Sequence, residues 1–257
     1  MARTGQSLVD RIRLRREMRR WRRIARGAPR APMHILRDHR NQARGLRELL
    51  DRVIRTAEYR LTLPYVGSNA FPVPHDADWS WRPQLWREPL TPRGMASVRS
   101  KSMLGAEASL FHDCDRSELS MRQVRNRRES DLAPFGLRLD VFTFDGTFLS
   151  LVLQMPPEAV AGLKRRHLIR MEAIVELEKP LELFARLNIR HGPNTEQLVR
   201  EVELNGRDMV VEFDLAYSKL NEKRIEGAWL DLIFDSPEMN QIVLRDVTFS
   251  RRPRAEL

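Results

Sequence analysis

Apolar and polar residues alternate along the chain from Leu137 onward, and this period of two predicts half-buried β-strands. The alternation is clearest in residues 169–177 and 181–189, where aliphatic side chains take every second position. Asp145-Gly146 and Asn205-Gly206 predict hairpins between apolar runs, and residues 191–194 predict another turn. The pattern therefore predicts eight strands in the second half of the chain.

Eight strands with short turns and no long helix between them predict a mainly β fold. The expected architecture is an antiparallel two-sheet β-sandwich of jelly-roll type, because each strand has one apolar face to bury. Residues 106–111 add a candidate edge strand. We assign residues 106–257 to this β-sandwich domain.

The first 60 residues follow a helical period instead. Residues 6–27 predict a first helix that Ser7 could cap and that Gly27 and Pro29 end, although its apolar stripe is poor. Residues 36–59 predict a second helix with a better stripe, formed by Leu46, Leu50, Val53 and Ala57. That stripe fits docking on the sandwich, self-association as a short coiled coil, or a membrane surface.

Residues 61–105 are rich in proline and tryptophan and predict an irregular connection that packs on the sandwich. Trp79 and Trp81 are two positions apart, so in an extended segment they project to the same side. Their expected role is to fasten the connection over the body, and a ligand-stacking platform is the alternative.

Charge is divided unevenly between these segments. The first 60 residues carry 18 arginines, no lysine and six acids, whereas residues 61–257 carry 27 bases and 29 acids. This basic helical arm, residues 1–60, predicts attachment to an anionic surface, either a membrane face or another polyanion. The residues expected to make that contact are Arg11, Arg13, Arg15, Arg16, Arg19, Arg20, Trp21, Arg22, Arg23 and Arg26.

A smaller basic group, Arg122, Arg125, Arg127 and Arg128, is interpreted as an exposed helix face.

The candidate ligand-binding row lies on one predicted strand and its turn, with a neighbouring strand adding a tryptophan beside a carboxylate. Guanidinium and amide groups in such a row suit a carbohydrate or an acidic ligand, and the alternative is an ion-paired sheet face. The row consists of Arg186, Asn188, Arg190, His191, Asn194, Trp229 and Asp231.

Catalytic and metal chemistry find little support in the sequence. His112, Asp113, Cys114 and Asp115 are the densest group of metal-capable side chains, yet four consecutive residues cannot converge on one ion without a turn. No pair of acids stands out for glycoside cleavage. We therefore assign no catalytic residue, no metal ligand and no cofactor, and the sequence leans towards a protein that is not an enzyme.

Membrane-span, signal-segment and cysteine patterns in the sequence predict the cellular compartment. No window approaches the length of a membrane span, arginines interrupt any apolar signal segment near the N-terminus, and a single cysteine, Cys114, suits a reducing environment. The expected location is cytoplasmic, with peripheral contact at the inner membrane face. The oligomeric state is left open.

Several segments resemble a family of uncharacterised alphaproteobacterial proteins. They are Trp79-Ser-Trp81-Arg-Pro83, Phe111-His-Asp-Cys114, residues 131–136, Arg186-Leu-Asn188 with residues 191–196, and the closing residues 254–257. The resemblance covers most of residues 35–257 and implies no known activity, so it assigns no residue a role. Residues 137–252 are also similar, in fold pattern only, to jelly-roll modules that often bind carbohydrate.

Three functions from different classes fit these observations. The favoured one is a non-catalytic binding module that the arm attaches to an anionic surface and whose sheet face recognises a glycan or an acidic ligand. The second is a nucleic-acid-associated protein whose arm follows phosphates without reading bases. The third is a polysaccharide-modifying enzyme, which would need a carboxylate pair or a metal site on the sandwich.

Overall fold

A computed structural model of the chain describes residues 8–65, 71–128, 130–204 and 206–254. The chain divides into two compact units, Met1–Ala57 and Glu58–Leu257. Ser7, the expected cap of the first helix, lies outside the described residues.

The first unit is helical, as its period of apolar residues predicts. Helix α1 spans Leu8–Gly27, a short 3-10 turn spans Ala28–Arg30, and helix α2 spans Met33–Tyr65. Helix α2 is longer than predicted at both ends and continues into the second unit. Among the helices that the structure describes, none has the length and the apolar character needed to cross a membrane.

The described part of the second unit contains thirteen strands, two short α-helices and a 3-10 turn at Leu215–Tyr217. In chain order the strands and α-helices are β1 (Trp79–Trp81), α3 (Gln84–Arg87), β2 (Gly94–Ala96), β3 (Ser102–Leu104), β4 (Ala108–His112), β5 (Ser117–Arg125), β6 (Phe135–Phe144), β7 (Leu149–Gln154), α4 (Pro157–Val160), β8 (His167–Leu177), β9 (Leu183–His191), β10 (Asn194–Glu201), β11 (Asp208–Asp214), β12 (Ile225–Phe234) and β13 (Asn240–Pro253).

These strands form two antiparallel sheets in the described residues. A seven-stranded sheet has the order β11-β8-β13-β6-β5-β2, with β1 paired to the remaining length of β13, and a six-stranded sheet has the order β10-β9-β12-β7-β4-β3. Aliphatic side chains from the inner faces of both sheets form one buried core. The predicted β-sandwich fold class is therefore confirmed, with an N-terminal helical region as expected.

Two of the turn interpretations are wrong in detail. Asp145-Gly146 joins β6 to β7, which belong to different sheets, so the turn carries the chain across the sandwich instead of closing a hairpin. The connection around Gly206 likewise joins β10 to β11 in opposite sheets, while Asn205 lies outside the described residues. A turn signal fixes a local reversal, whereas the sheet that each strand joins depends on which apolar face it must cover. The turn at 191–194 does close a hairpin, between β9 and β10.

The connection predicted to be irregular contains real structure. Its residues form β1, α3, β2 and β3, and Trp86 is fully buried with its indole N–H donating to the carbonyl of Leu244 at 3.0 Å. Trp81 is buried against Phe249, with ring centroids 5.3 Å apart, and Trp79 stacks beside Trp81. The tryptophans therefore fasten the segment to β13, which is the role that the sequence predicts for Trp79 and Trp81.

The interpretation of Arg122, Arg125, Arg127 and Arg128 as a helix face is also wrong. Arg122 and Arg125 lie in β5, and the other two follow it. Strand β5 pairs with β6 as far as Arg125, so the backbone there is extended and its residues alternate between the two faces, whereas Arg127 and Arg128 lie in the following loop.

An ion pair is buried where the connection crosses the outer face of β13. Arg82 donates from Nε to Asp246 Oδ1 at 2.9 Å and from Nη2 to Asp246 Oδ2 at 2.7 Å. The Arg82 side chain is 1% exposed, and the ring of Phe71 lies over its guanidinium. Burial raises the pKa of the Asp246 carboxyl, while Arg82 acts in the opposite direction. The two short hydrogen bonds between the charges therefore offset the free-energy cost of removing both groups from water.

We expect Arg82→Ala to lower the free energy of unfolding by about 3–5 kcal/mol, because it leaves the Asp246 carboxylate buried without its counter-charge. Arg190→Ala is the control, since the Arg190–Glu226 pair is exposed and should contribute about 1 kcal/mol or less. Urea denaturation of both variants measures the difference. Equal small losses would show that the buried pair does not hold the connection on β13.

Candidate functional site on the six-stranded sheet

The outer face of the six-stranded sheet carries the polar and aromatic residues that the strand period leaves outside the core. Along β12, Leu230 and Leu232 are buried in the core, so Trp229 and Asp231 lie on the other face. The same alternation in β7 and β9 places Ser150, Val152, Arg186 and Asn188 on that face. Cross-strand register then brings these side chains together, because Asp231 pairs with Arg186 on one side and with Val152 on the other.

Asp231 is the centre of this site. Its side chain is 5% exposed, and its Oδ2 atom accepts from Arg186 Nε at 2.7 Å, from Arg186 Nη2 at 2.6 Å and from Asn188 Nδ2 at 3.2 Å. Asn188 in turn accepts from Gln197 Nε2 at 3.0 Å, so β12, β9 and β10 are linked by one side-chain network. The network holds the Asp231 carboxylate and the Arg186 guanidinium in fixed positions.

Two oxygen atoms at the centre of the site receive no hydrogen bond from the described residues. The bonds that Arg186 and Asn188 donate to Asp231 all go to Oδ2, and Oδ1 receives none. Ser150 Oγ is buried and makes no hydrogen bond with any described residue. Of the two, only Ser150 Oγ is a buried atom, and buried polar groups are nearly always hydrogen-bonded, so its hydroxyl is the unexplained polar group of this site.

A groove of about 280 Å³ opens over these atoms, and aromatic rings form part of its wall. This volume is near the lower end of the roughly 300–1,000 Å³ usual for small-molecule sites. Arg186 and Asp231 bring one positive and one negative charge, so the pair is formally neutral. The groove is lined by Phe111, Phe148, Ser150, Val152, Arg186, Trp229 and Asp231.

The structure brings together four of the seven residues in the predicted binding row: Arg186, Asn188, Trp229 and Asp231. Arg190 lies on the same face but is paired with Glu226 at 2.9 Å, outside the groove. His191 has the inward parity of β9 and is buried, and Asn194 is exposed at the start of β10. Neither residue lines the groove. For His191 the reason is that an odd number of positions along β9 separates it from Arg186, so the two side chains lie on opposite faces.

The metal-capable residues from 112 to 115 have separate partners in the structure. His112 lies within 3.1 Å of the carbonyl of Val98, Asp113 accepts from Thr147, and Cys114 Sγ donates to Asp145 Oδ1 at 2.7 Å. Burial raises the pKa of the Cys114 thiol, and the hydrogen bond to Asp145 acts in the same direction. In the part of the chain that the structure describes, no three His, Cys, Asp or Glu side chains are grouped to hold a metal ion.

Comparison of sequences gives one family match, to the family of unknown function DUF6478, which covers residues 1–257. The chain belongs to DUF6478. This confirms the expected family of unknown function, while the alphaproteobacterial origin stays a prediction. No curated protein matches this DUF6478 chain in sequence.

Solved structures similar to this DUF6478 chain include carbohydrate-binding modules. The family 11 module from Clostridium thermocellum, solved with a β-1,3-1,4-mixed-linked tetrasaccharide, shares 11% identity at a TM-score of 0.39, over 64% of this chain and 98% of the module. A xylan-binding domain from Paenibacillus barcinonensis shares 12% identity at a TM-score of 0.34, over 72% of this chain and all (100%) of that domain.

A third similar structure is a much larger protein. The enzymatically active domain of tailspike protein 4 from bacteriophage CBA120 shares 5% identity at a TM-score of 0.39, over 56% of this chain. The match spans only 19% of the tailspike chain. At these identities and TM-scores the similarities concern the sandwich fold alone.

Sequence reasoning missed Ser150, Phe111 and Phe148 in this DUF6478 chain. Ser150 interrupts a run in which Leu149, Leu151 and Leu153 point inward, so its outward position could be read from the period of two. Its place in the groove depends on β7 pairing with both β12 and β4, which no local pattern reveals. Only the observed strand order brings the residues of β4, β7, β12 and β9 together.

We expect Ser150→Ala to leave the free energy of unfolding unchanged or to raise it by up to about 1 kcal/mol, because it removes a buried hydroxyl that has no protein partner. Ser120→Ala is the matched control, since the Ser120 hydroxyl donates to Asp140 at 3.1 Å and its loss should cost about 1 kcal/mol. Thermal and urea unfolding measure both variants. A loss at Ser150 as large as that at Ser120 would show that its hydroxyl is already satisfied.

Proposed function

We propose that this DUF6478 chain is a non-catalytic binding protein whose groove on the six-stranded sheet takes a neutral carbohydrate. The observation that carries the proposal is the buried Ser150 hydroxyl, which has no partner among the described residues, in a groove walled by aromatic rings; Asp231 Oδ1 receives no hydrogen bond from those residues either. A sugar hydroxyl both donates and accepts, so it can donate a hydrogen bond to a carboxylate oxygen and also form one with a serine hydroxyl.

The walls of the groove suit the apolar faces of a sugar ring. Trp229, Phe111 and Phe148 each present part of an aromatic ring to the groove, and all three are partly exposed. Aromatic side chains combine a large apolar surface with a rigid shape, which favours contact with the C–H faces of a pyranose. Aromatic contact beside a fixed hydrogen-bonding pair therefore supports a polyhydroxylated ring as the ligand.

Charge supports a neutral ligand over an acidic one. The positive charge of Arg186 is already balanced by the Asp231 carboxylate, to which the guanidinium donates two hydrogen bonds. An incoming carboxylate would also face the Asp231 carboxylate within the same small groove, and like charges at that range repel. The acidic-ligand alternative is therefore disfavoured for this groove.

A binding role is favoured over glycoside cleavage. Cleavage uses two carboxyl groups roughly 5–9.5 Å apart on either side of the scissile bond. Of the residues that line the described groove, Asp231 alone carries a carboxyl group, and that group is held by Arg186 and Asn188. This arrangement suits recognition and offers no general acid beside a nucleophile.

We expect Phe148→Ala and Trp229→Ala each to weaken binding of the preferred neutral oligosaccharide by about tenfold or more, because each removes an aromatic wall of the groove. Phe142→Ala is the matched control, since Phe142 is an exposed phenylalanine on the other sheet. A neutral glycan array on the full chain identifies the ligand, and titration calorimetry measures the variants. Binding that survives both groove substitutions would place the ligand elsewhere.

The arm supplies the second half of the proposed function, which is attachment to an anionic lipid surface. The described side chains of α1 include eight arginines of the predicted set, most of them exposed, and Arg20 has an ion pair with Glu17 at 3.6 Å. Leu14 and Met18 are 58% and 50% exposed on the same helix. Arginines beside an exposed apolar stripe favour a lipid surface over phosphates alone, because lipid can also bury the stripe. The side chain of Arg11 lies outside the described side chains.

Co-sedimentation of the full chain with vesicles containing phosphatidylglycerol tests this attachment. We expect Leu14→Ser/Met18→Ser and Arg15→Gln/Arg19→Gln/Arg22→Gln each to reduce the bound fraction, since apolar burial and charge both contribute. Binding to duplex DNA should fall only for the arginine variant, because phosphate contacts do not need the stripe. If the serine variant binds vesicles as well as the original chain, or if the chain prefers DNA, the nucleic-acid alternative takes its place.

A further inference from the structure

The outer face of the seven-stranded sheet carries a second charged surface, which the carbohydrate proposal does not use. Residues 61–257 are close to neutral as a whole, with 27 bases and 29 acids. Five arginines nevertheless gather on this face around two carboxylates. We call this surface the arginine face, and it consists of Arg122, Arg128, Arg138, Arg207 and Arg245 with Glu176 and Asp140.

Glu176 is the centre of one half of the arginine face. Its Oε1 atom is contacted by Nη1 of Arg128 and, at 3.4 Å, by Nη1 of Arg207. Its Oε2 atom accepts from Arg245 Nε at 3.1 Å and from Arg245 Nη2 at 2.9 Å. One carboxylate therefore holds three guanidinium groups, which leaves positive charge in excess at this point.

Asp140 is the centre of the other half. Arg138 donates to its Oδ1 at 2.7 Å, and Arg122 lies 3.7 Å from its Oδ2. Gln241 and Ser120 also donate to Asp140. Again more than one guanidinium shares a single carboxylate, and Arg122 is too far away to form a short hydrogen bond.

Strand pairing joins the two halves into one surface. Arg122 on β5 pairs with Arg138 on β6, Arg138 pairs with Val243 on β13, and Val243 pairs with Glu176 on β8. Neighbouring strands are about 4.8 Å apart, so this row of paired residues extends continuously across four adjacent strands. Val243 is buried beneath the row, between the two acidic centres.

Guanidinium groups of the arginine face remain available for a ligand. Arg122, Arg128 and Arg207 have side chains that are 50%, 45% and 62% exposed. A guanidinium offers five N–H donors, and the contacts to Glu176 and Asp140 use only some of them. Asp131, an acid that contacts Arg128, is buried and accepts from the Arg128 backbone N–H. Among the residues that define the face, positive charges exceed negative ones by three.

We infer that the arginine face binds an oxyanion, namely a ligand that carries more than one phosphate or sulfate group. Guanidinium groups bind such tetrahedral oxyanions through paired N–H donors, and several of them at fixed spacing favour a ligand with several anionic groups. A depression of about 420 Å³ beside Glu176 and Arg207 leaves room for the rest of the ligand. This binding is separate from the groove around Asp231, which lies on the opposite sheet.

Methyl NMR of the full chain tests the inference with inorganic tripolyphosphate as the probe. The Val243 methyl groups report on this face because they lie beneath the row of arginines, away from the basic arm in sequence. We expect their resonances to shift saturably on titration at low salt. Arg128→Gln/Arg207→Gln should weaken the apparent affinity read at Val243 by about tenfold.

Arg190→Gln/Arg200→Gln is the matched control, since it removes the same charge from the opposite sheet, outside the groove around Asp231. It should leave the titration at Val243 unchanged. No saturable shift at Val243, or the same loss in both double variants, would overturn the inference, because it would show that the probe binds elsewhere or responds only to net charge.

Glu176→Gln separates a binding site from a purely structural ion network. If the arginines serve a ligand, removing the competing carboxylate should strengthen tripolyphosphate binding about fivefold or more. If they serve only to neutralise Glu176, the variant should be destabilised and bind no better. Unfolding in the presence of tripolyphosphate gives a second measurement, because a bound anion should raise the midpoint of this variant more than that of the original chain.

Discussion

The shared apolar core of the two sheets is the constraint on which both surfaces of this protein depend. Each long strand gives alternate residues to that core, so the residues between them must lie on an outer face. Asp231 shows the consequence, because Leu230 and Leu232 on either side of it are buried in the core. Its own burial then comes from Arg186 and Asn188 on the neighbouring strand, and from the walls of the groove.

The two outer faces have different chemistry because their charged residues are balanced differently. On the six-stranded sheet, Arg186 and Asp231 neutralise each other, and aromatic rings surround them. On the seven-stranded sheet, Glu176 and Asp140 are each shared by more than one arginine. A neutral polyhydroxylated ligand suits the first face, and an oxyanion suits the second. The two proposed sites therefore lie on opposite sheets, and their ligands would not compete.

Much of the fold could be predicted from the sequence, since a period of two is visible along β6, β8 and β9 and needs no tertiary information. The short strands β1 to β3 could not, because three residues cannot show a period and the prolines around them indicate a loop. They exist because Trp81 and Trp86 are buried against β13, which only the folded chain brings near. Strand order was equally hidden at Asp145-Gly146, where a typical hairpin signal joins two sheets.

Only part of the candidate groove could be predicted from the sequence, because the sequence pattern does not reveal strand order. Arg186, Asn188, Trp229 and Asp231 could be placed on outward positions of their own strands, whereas His191, expected in the turn, is the last residue of β9 and is buried. Ser150 and the phenylalanines needed the pairing of β7 with β4 and β12. Local period thus identifies which residues face outward, and only strand order identifies which of them meet.

The most direct measurement is the set of indole N–H resonances of the five tryptophans in the presence of neutral oligosaccharides. The account predicts a saturable shift at Trp229, with Trp86 unchanged because its indole N–H is buried on the carbonyl of Leu244. A panel of neutral hexose and pentose oligosaccharides that leaves Trp229 unmoved, or that shifts Trp79 instead, would contradict the account.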